Sequence, residues 1–182
     1  MEEKDLFEKT YSSNVVFDGK IMKVNCDEVL LPNGKISRRE VVHHNGGSTV
    51  LCEIDGKILF VKQYRYSVGT LLYELPAGKL EKGENPRDTA IRELKEEGGI
   101  IAKDVKLICA FYPTPGYSSE KIYVYQALDV EKGEACLDEN EFLTNEWISV
   151  SRIPQMIESG EITDGKTIIA LQYYLLCAGE NK

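Results

Sequence analysis

The chain has 182 residues, enough for one well-buried core and, at roughly 150 residues per domain, for one compact unit spanning 1–182. Its 42% hydrophobic and 29% charged residues exclude wholesale disorder. Lys plus Arg total 22 and Asp plus Glu total 30, a net charge of −8 that excludes a nucleic-acid docking surface and a polybasic membrane anchor; a phosphate ligand stays possible if divalent cations stand between the two negative partners.

In chain order, the opening MEEKDLFEKT is charged and polar, so no secretory leader is expected. Residues 13–44 read as an antiparallel β-meander. Val15–Phe17 and Ile21–Leu31 carry apolar and β-branched residues, Pro32-Asn33-Gly34-Lys35 turns, and Ile36–His44 returns. His43 and His44 read as structural. Ser48–Ile54 and Lys57–Tyr64 flank Asp55-Gly56, a strong hairpin signal. Leu71–Leu75 is a short strand running into Pro76-Ala77-Gly78. A helix is predicted over 86–97, with Asn85 as N-cap, Pro86 at its first position and Gly98-Gly99 as its stop. Strands follow at Val105–Tyr112, Lys121–Asp129 and Phe142–Val150. A short helix is expected around Pro154–Glu158, and a final amphipathic one from Asp164 to Cys177. Strands, one helix, more strands and then helices make an α+β fold, a mixed sheet with helices on its faces. No apolar stretch is long enough to span a bilayer. The five cysteines are odd in number and widely spaced, with no CxxC pair, which points to reduced thiols in a cytoplasmic protein.

The helix over 86–97 concentrates acid. At ~100° per residue, Glu97 lies about 40° from Glu93, and Glu96 about 60° to the other side, so three carboxylates share one arc. They occupy the last turn, where the helix dipole is already negative. Like charges at i,i+4 cost about 0.2–0.5 kcal/mol, and the dipole adds roughly 0.3–1 kcal/mol per charge. A divalent cation would reverse both signs. A solvated acidic face neutralised by Arg92 and Lys95 is the alternative.

The surrounding residues favour the cation. The segment from Gly78 to Ile100, GKLEKGENPRDTAIRELKEEGGI, resembles the Nudix box of hydrolases acting on nucleoside diphosphates linked to another moiety. Gly78, Glu84, Arg92, Glu93, Leu94, Glu96, Glu97, Gly99 and Ile100 fit that pattern without departure. A chance match is on the order of 10⁻⁶ to 10⁻⁷.

The resemblance implies an α/β/α sandwich around a mixed β-sheet. Glu93, Glu96 and Glu97 would hold Mg²⁺, two or more ions per site with Mn²⁺ able to substitute, and the Ala77 carbonyl would be a backbone ligand. Arg92 would hold the carboxylates in place, Glu84 would support the site, and Gly78 and Gly99 would make tight turns. The block from Phe111 to Glu120 (FYPTPGYSSE) resembles the ADP-ribose pyrophosphatase group of the family, with Pro115 sixteen residues after Gly99. That likeness implies substrate contacts at Pro115, Gly116, Ser118 and Glu120. It also implies them at Arg65 (phosphates), at Arg38 and Arg39 (adenine) and at Glu74 (nucleoside). A glutamate of the acidic turn from Leu137 to Phe142 would be the catalytic base, Glu139 by position or Glu141 as the second choice. The N-terminal strands, about 1–45, would join a homodimer around a catalytic core of about 46–182.

The implied activity is Mg²⁺-dependent hydrolysis of ADP-ribose to AMP and ribose 5-phosphate. The alternatives are hydrolysis of another nucleoside diphosphate sugar or nucleotide, a non-catalytic ADP-ribose or NAD sensor, and an acidic domain without ligand. A sensor would be expected to show a broken box and an appended DNA-binding module, and 182 residues leave no length for one.

Overall fold

The structure, a computed structural model, describes residues 6–180. They divide into two compact units. One comprises the N-terminal residues up to Gly46 together with Thr114–Lys121; the other comprises Gly47–Pro113 and the chain from Ile122 onward.

The first unit is built on a meander of β1 (Lys9–Asp18), β2 (Lys23–Leu30) and β3 (Ile36–His43), all antiparallel. The β2–β3 turn forms where Pro-Asn-Gly predicts it. Gly34 takes φ +80°, and Asn33 Oδ1 accepts the Lys35 amide at 3.0 Å. β1 starts earlier than the apolar Val15–Phe17 suggests, because its partners on β2 pair down to Lys9 and its polar side chains face solvent. Thr114–Lys121 docks on the end of β3. The Val42 amide donates to the Tyr117 carbonyl (2.7 Å), and the Ser119 amide donates back to Val42 (2.9 Å).

The second unit carries eight strands: β4 (Gly47–Leu51), β5 (Glu53–Ile54), β6 (Lys57–Arg65), β7 (Thr70–Glu74), β8 (Ala77–Lys79), β9 (Ile100–Phe111), β10 (Ile122–Lys132) and β11 (Leu143–Ser149). A mixed sheet runs β8-β4-β10-β9, with β4 and β10 parallel and the other pairs antiparallel. A second sheet runs β11-β6-β5, with β7 also paired to β6. Asp55 (φ +51°) and Gly56 (φ +74°) form the β5–β6 turn, as both central residues of a type I′ hairpin must have positive φ. Three helices complete the unit: α1 (Pro86–Glu96), α2 (Ile153–Glu158) and α3 (Gly165–Glu180).

Strand periodicity divides the core. Val50, Leu59 and Tyr125 pack with Ala90 and Leu94 of α1. Their neighbours Leu51, Ile58, Phe60 and Val124 turn the other way, onto Ile153 and Met156 of α2 and Ala170 and Leu171 of α3. The sheets therefore lie between α1 on one side and α2 and α3 on the other, the expected α/β/α sandwich. β8 is not among the expected strands, because its three residues, Ala77–Lys79, are too few to show a strand period. Its pairing partner, β4, is remote in sequence.

Candidate metal and active site

The site starts at α1. The Asn85 side chain accepts the Arg87 amide (3.0 Å), and Ser48 Oγ of β4 donates to the Pro86 carbonyl (2.7 Å), which fixes the start of the helix. The expected end at residue 97 is met with one adjustment: Glu97 is the C-cap and Glu96 the last helical residue. Helix ends leave carbonyls without intrahelical partners. Here the Cys136 amide donates to the Glu96 carbonyl (2.9 Å) and Asn145 Nδ2 of β11 to the Glu97 carbonyl (2.8 Å). Gly99 takes φ +64°, and a Cβ there would lie 2.9 Å from the Ala135 amide, so both conformation and space require glycine.

Opposite the helix end lies β8. The Val50 amide (3.0 Å) and Thr49 Oγ1 (3.1 Å) both donate to the Pro76 carbonyl and hold the Pro76-Ala77-Gly78 segment. The Ala77 amide then donates to Glu97 Oε2 at 2.9 Å. A Cβ on Gly78 would stand 1.7 Å from Glu93 Oε1, so the missing side chain is what lets that carboxylate lie against the strand. Glu93 and Glu97 are thereby buried, at 8% and 2% exposure.

Arg92 gathers the remaining charge. It donates from Nη1 to Glu93 Oε1 (2.7 Å) and Glu96 Oε2 (2.9 Å), and from Nε to Glu84 Oε1 (3.1 Å). Glu84 Oε2 also accepts the Glu81 amide (2.9 Å). Burial acts to raise the Glu84 carboxyl, but Arg92 and the Glu81 amide hold it below the ordinary range. Arg92 itself is raised above the ordinary guanidinium: burial opposes the charge, and its acidic partners more than offset that cost.

Glu97 behaves differently. Burial pushes its pKa up to about 8, the Ala77 amide opposes this, and the charges of Glu93 and Glu141 add to it. Glu93 is also raised by burial, with Arg92 opposing and Glu96 and Glu141 reinforcing. Among the described residues, no three His, Cys, Asp or Glu side chains converge as a ready-made metal cage. Arg92 and the Ala77 amide hold several of the oxygens. The donor chemistry nonetheless fits a hard divalent cation: all-oxygen carboxylate ligands, crowded and buried with their negative charge incompletely neutralised. A groove of about 510 Å³ runs along α1 beside residues 136–138, with Arg92 and Glu96 on its wall.

The two candidate bases differ. Glu139 is exposed, whereas Glu141 is half-buried and its charge acts on both Glu93 and Glu97. The Glu141 amide closes a turn onto the Asp138 carbonyl (2.9 Å).

Arg65 and Glu74, at the ends of β6 and β7, meet in a two-bond fork: Nε to Oε1 at 2.6 Å and Nη2 to Oε2 at 2.7 Å. Lys166 Nζ also donates to Glu74 Oε2. Burial acts to raise the Glu74 carboxyl, and the two cations outweigh it and hold the group below the usual carboxylate range. Both oxygens of Glu74 are committed to protein partners, and the residue holds Arg65. Lys166 escaped the sequence reading because a lone lysine at a helix start carries no motif.

The other expected substrate residues lie together in the first unit. Arg38 is exposed on β3, and Arg39 is paired with Glu8 and donates to Ser37 Oγ (3.1 Å). Pro115 and Gly116 form a turn closed by the Ser118 amide on the Thr114 carbonyl (3.0 Å), and Ser118 Oγ accepts the Glu120 amide (3.1 Å). His44 lies beyond β3. Its Nδ1 accepts the Gly46 amide (3.0 Å) and lies 3.4 Å from Glu120 Oε1. No helix among the described residues is long and apolar enough to cross a membrane.

Residues 42–171 match the NUDIX domain, and residues 8–42 match the nucleoside diphosphate sugar hydrolase N-terminal domain. The chain belongs to the Nudix family. It is 44% identical over 176 residues to an ADP-ribose pyrophosphatase of Bacillus subtilis (strain 168), covering 95% of each chain. It is 41% identical over 172 residues to a methanol dehydrogenase activator of Bacillus methanolicus, covering 93% of each. A crystal structure described as an ADP compounds hydrolase superposes with a TM-score of 0.86 over 96% of this chain and 95% of that one. At 19% identity that likeness concerns the fold.

Proposed function

We propose that this protein hydrolyses the diphosphate bond of ADP-ribose, giving AMP and ribose 5-phosphate. The observation that carries the reading is the intact box, folded so that buried Glu93 and Glu97 face β8 with Glu141 acting on both. The Bacillus subtilis relative supports the choice of substrate. Glu93, Glu96, Glu97 and the Ala77 carbonyl would hold divalent cations, Mg²⁺ first with Mn²⁺ able to replace it and two or more per site. When bound, these neutralise the diphosphate and acidify a water.

The chain's own residues do the rest. Arg92 and Glu84 keep the carboxylates oriented. Arg65 presents a guanidinium edge to the phosphates, a geometry suited to paired oxygens. Glu141 is the better-placed base: it takes the proton of the attacking water as the new P–O bond forms and the anhydride P–O bond breaks. Arg38, Arg39, Pro115, Gly116, Ser118 and Glu120 are proposed to bind the nucleoside and ribose ends. Residues 1–45 are proposed to serve a homodimer within a single-domain, cytoplasmic protein.

The test is AMP release from a panel of nucleoside diphosphate sugars with Mg²⁺. ADP-ribose should be the best substrate, and a flat panel would refute hydrolysis. The Bacillus methanolicus relative favours a second reading, activation of an alcohol dehydrogenase. A dehydrogenase rate measured with and without this protein checks it.

A further inference from the structure

The start of α3 is sewn to the end of β7 at consecutive residues. Thr167 Oγ1 accepts the Leu75 amide at 2.9 Å, and Lys166 Nζ reaches Glu74 Oε2. Asp164 holds both clamping residues: Oδ1 lies 3.0 Å from Lys166 Nζ, and Oδ2 accepts the Thr167 amide at 3.0 Å. The result is an alternating row of charges, Arg65, Glu74, Lys166 and Asp164. Glu74 is only 1% exposed in the middle of it.

Glu74 uses one edge of the Arg65 guanidinium, Nε and Nη2. A guanidinium carries five N–H donors, so Nη1 and the second Nη2 hydrogen stay uncommitted among the described residues. That edge belongs to a side chain 40% exposed, and the charges of Arg65 and Glu97 act on each other. Glu74 can hold the guanidinium plane only if its own carboxylate plane cannot rotate. Arg65 alone does not prevent rotation, because the fork would turn with the carboxylate. Lys166 does, since it reaches Oε2 from another element and is itself fixed by Asp164.

We propose that Lys166 is a positioning residue for diphosphate binding: by pinning Glu74 it aims the free edge of Arg65 toward the phosphates. The proposal rests on the reading of Arg65 as a phosphate contact. Its effect is on substrate affinity, because the carboxylates and the base do not depend on it.

The experiment is steady-state hydrolysis of ADP-ribose with Mg²⁺ by Lys166→Met, Lys166→Arg, Arg65→Ala and the double variant Arg65→Ala/Lys166→Met, with Tm recorded for each. Lys166→Met should raise KM about five- to tenfold and change kcat less than about twofold. Lys166→Arg should restore most of the loss, and Lys166→Met should add nothing once Arg65 is alanine. If methionine proves unstable, Lys166→Gln gives the same comparison. A raised KM in Arg65→Ala with an unchanged KM in Lys166→Met would overturn the proposal and leave Arg65 as a phosphate contact. An unchanged KM in Arg65→Ala would overturn both. Equal losses in kcat and Tm, additive with Arg65→Ala, would mark Lys166 as merely structural and overturn the proposal.

Discussion

Replacing Glu97 by glutamine should remove activity and, in metal-free protein, raise stability. The side chain is 2% exposed, and its pKa rises from 4.5 to about 8 on folding. A carboxyl raised in this way binds its proton more tightly when folded, so unfolding becomes easier as pH climbs through that window. One pKa unit corresponds to about 1.4 kcal/mol, which makes the slope about 1.4 kcal/mol per pH unit. The total reaches roughly 4–5 kcal/mol above the folded pKa. Glutamine has the same shape, can still accept the Ala77 amide, and carries no charge to desolvate. Urea unfolding in EDTA at pH 5.5, 6.5, 7.5 and 8.5 measures the difference. The gap should widen in favour of Glu97→Gln up to about pH 8 and then level off. A gap of 2–3 kcal/mol corresponds to roughly 5–10 °C in Tm for a chain of this size. Saturating Mg²⁺ should stabilise the parent protein and flatten its pH trend, because a cation supplies the neutralisation that protonation otherwise provides. Turnover of Glu97→Gln should fall by orders of magnitude. A parent protein more stable than Glu97→Gln at pH 8 in EDTA, or a gap independent of pH, would refute the picture of a buried carboxylate awaiting a cation.

Two further perturbations bear on the same site. Gly78→Ala places a Cβ 1.7 Å from Glu93 Oε1, so the carboxylate must move; Mg²⁺ titration of the rate should show a higher concentration for half-maximal activity, with a stability loss of about 1–3 kcal/mol by urea unfolding. An unchanged Mg²⁺ curve would remove Glu93 from the ligand set. Glu141→Gln should slow turnover about 10²- to 10⁴-fold at saturating substrate, while Glu139→Gln stays within a few-fold of the parent. The reverse ranking would return the base to Glu139.

Much of the candidate site was legible because its geometry is local. Glu93 and Glu97 share a helix face through their spacing alone, and Asn85, Pro86 and Gly99 bound the helix by their own backbone chemistry. The Asp55-Gly56 hairpin is equally local. The choice between Glu139 and Glu141 was not legible, since an irregular acidic turn has no periodicity from which to infer direction. Nor was the company kept by the substrate candidates. Arg38 and Arg39 fall with 114–121 because the Val42 backbone pairs with Tyr117 and Ser119, whereas Arg65 and Glu74 fall with the box.

By itself the sequence determined the family and the carboxylate arc, both encoded within 23 residues from Gly78 to Ile100. Only the tertiary structure decided which carboxylates are buried, because burial depends on β8 lying against the end of α1. It also brought Lys166 to Glu74 across a separation of 92 residues, a contact set by how α3 packs on the sheet and by no local pattern.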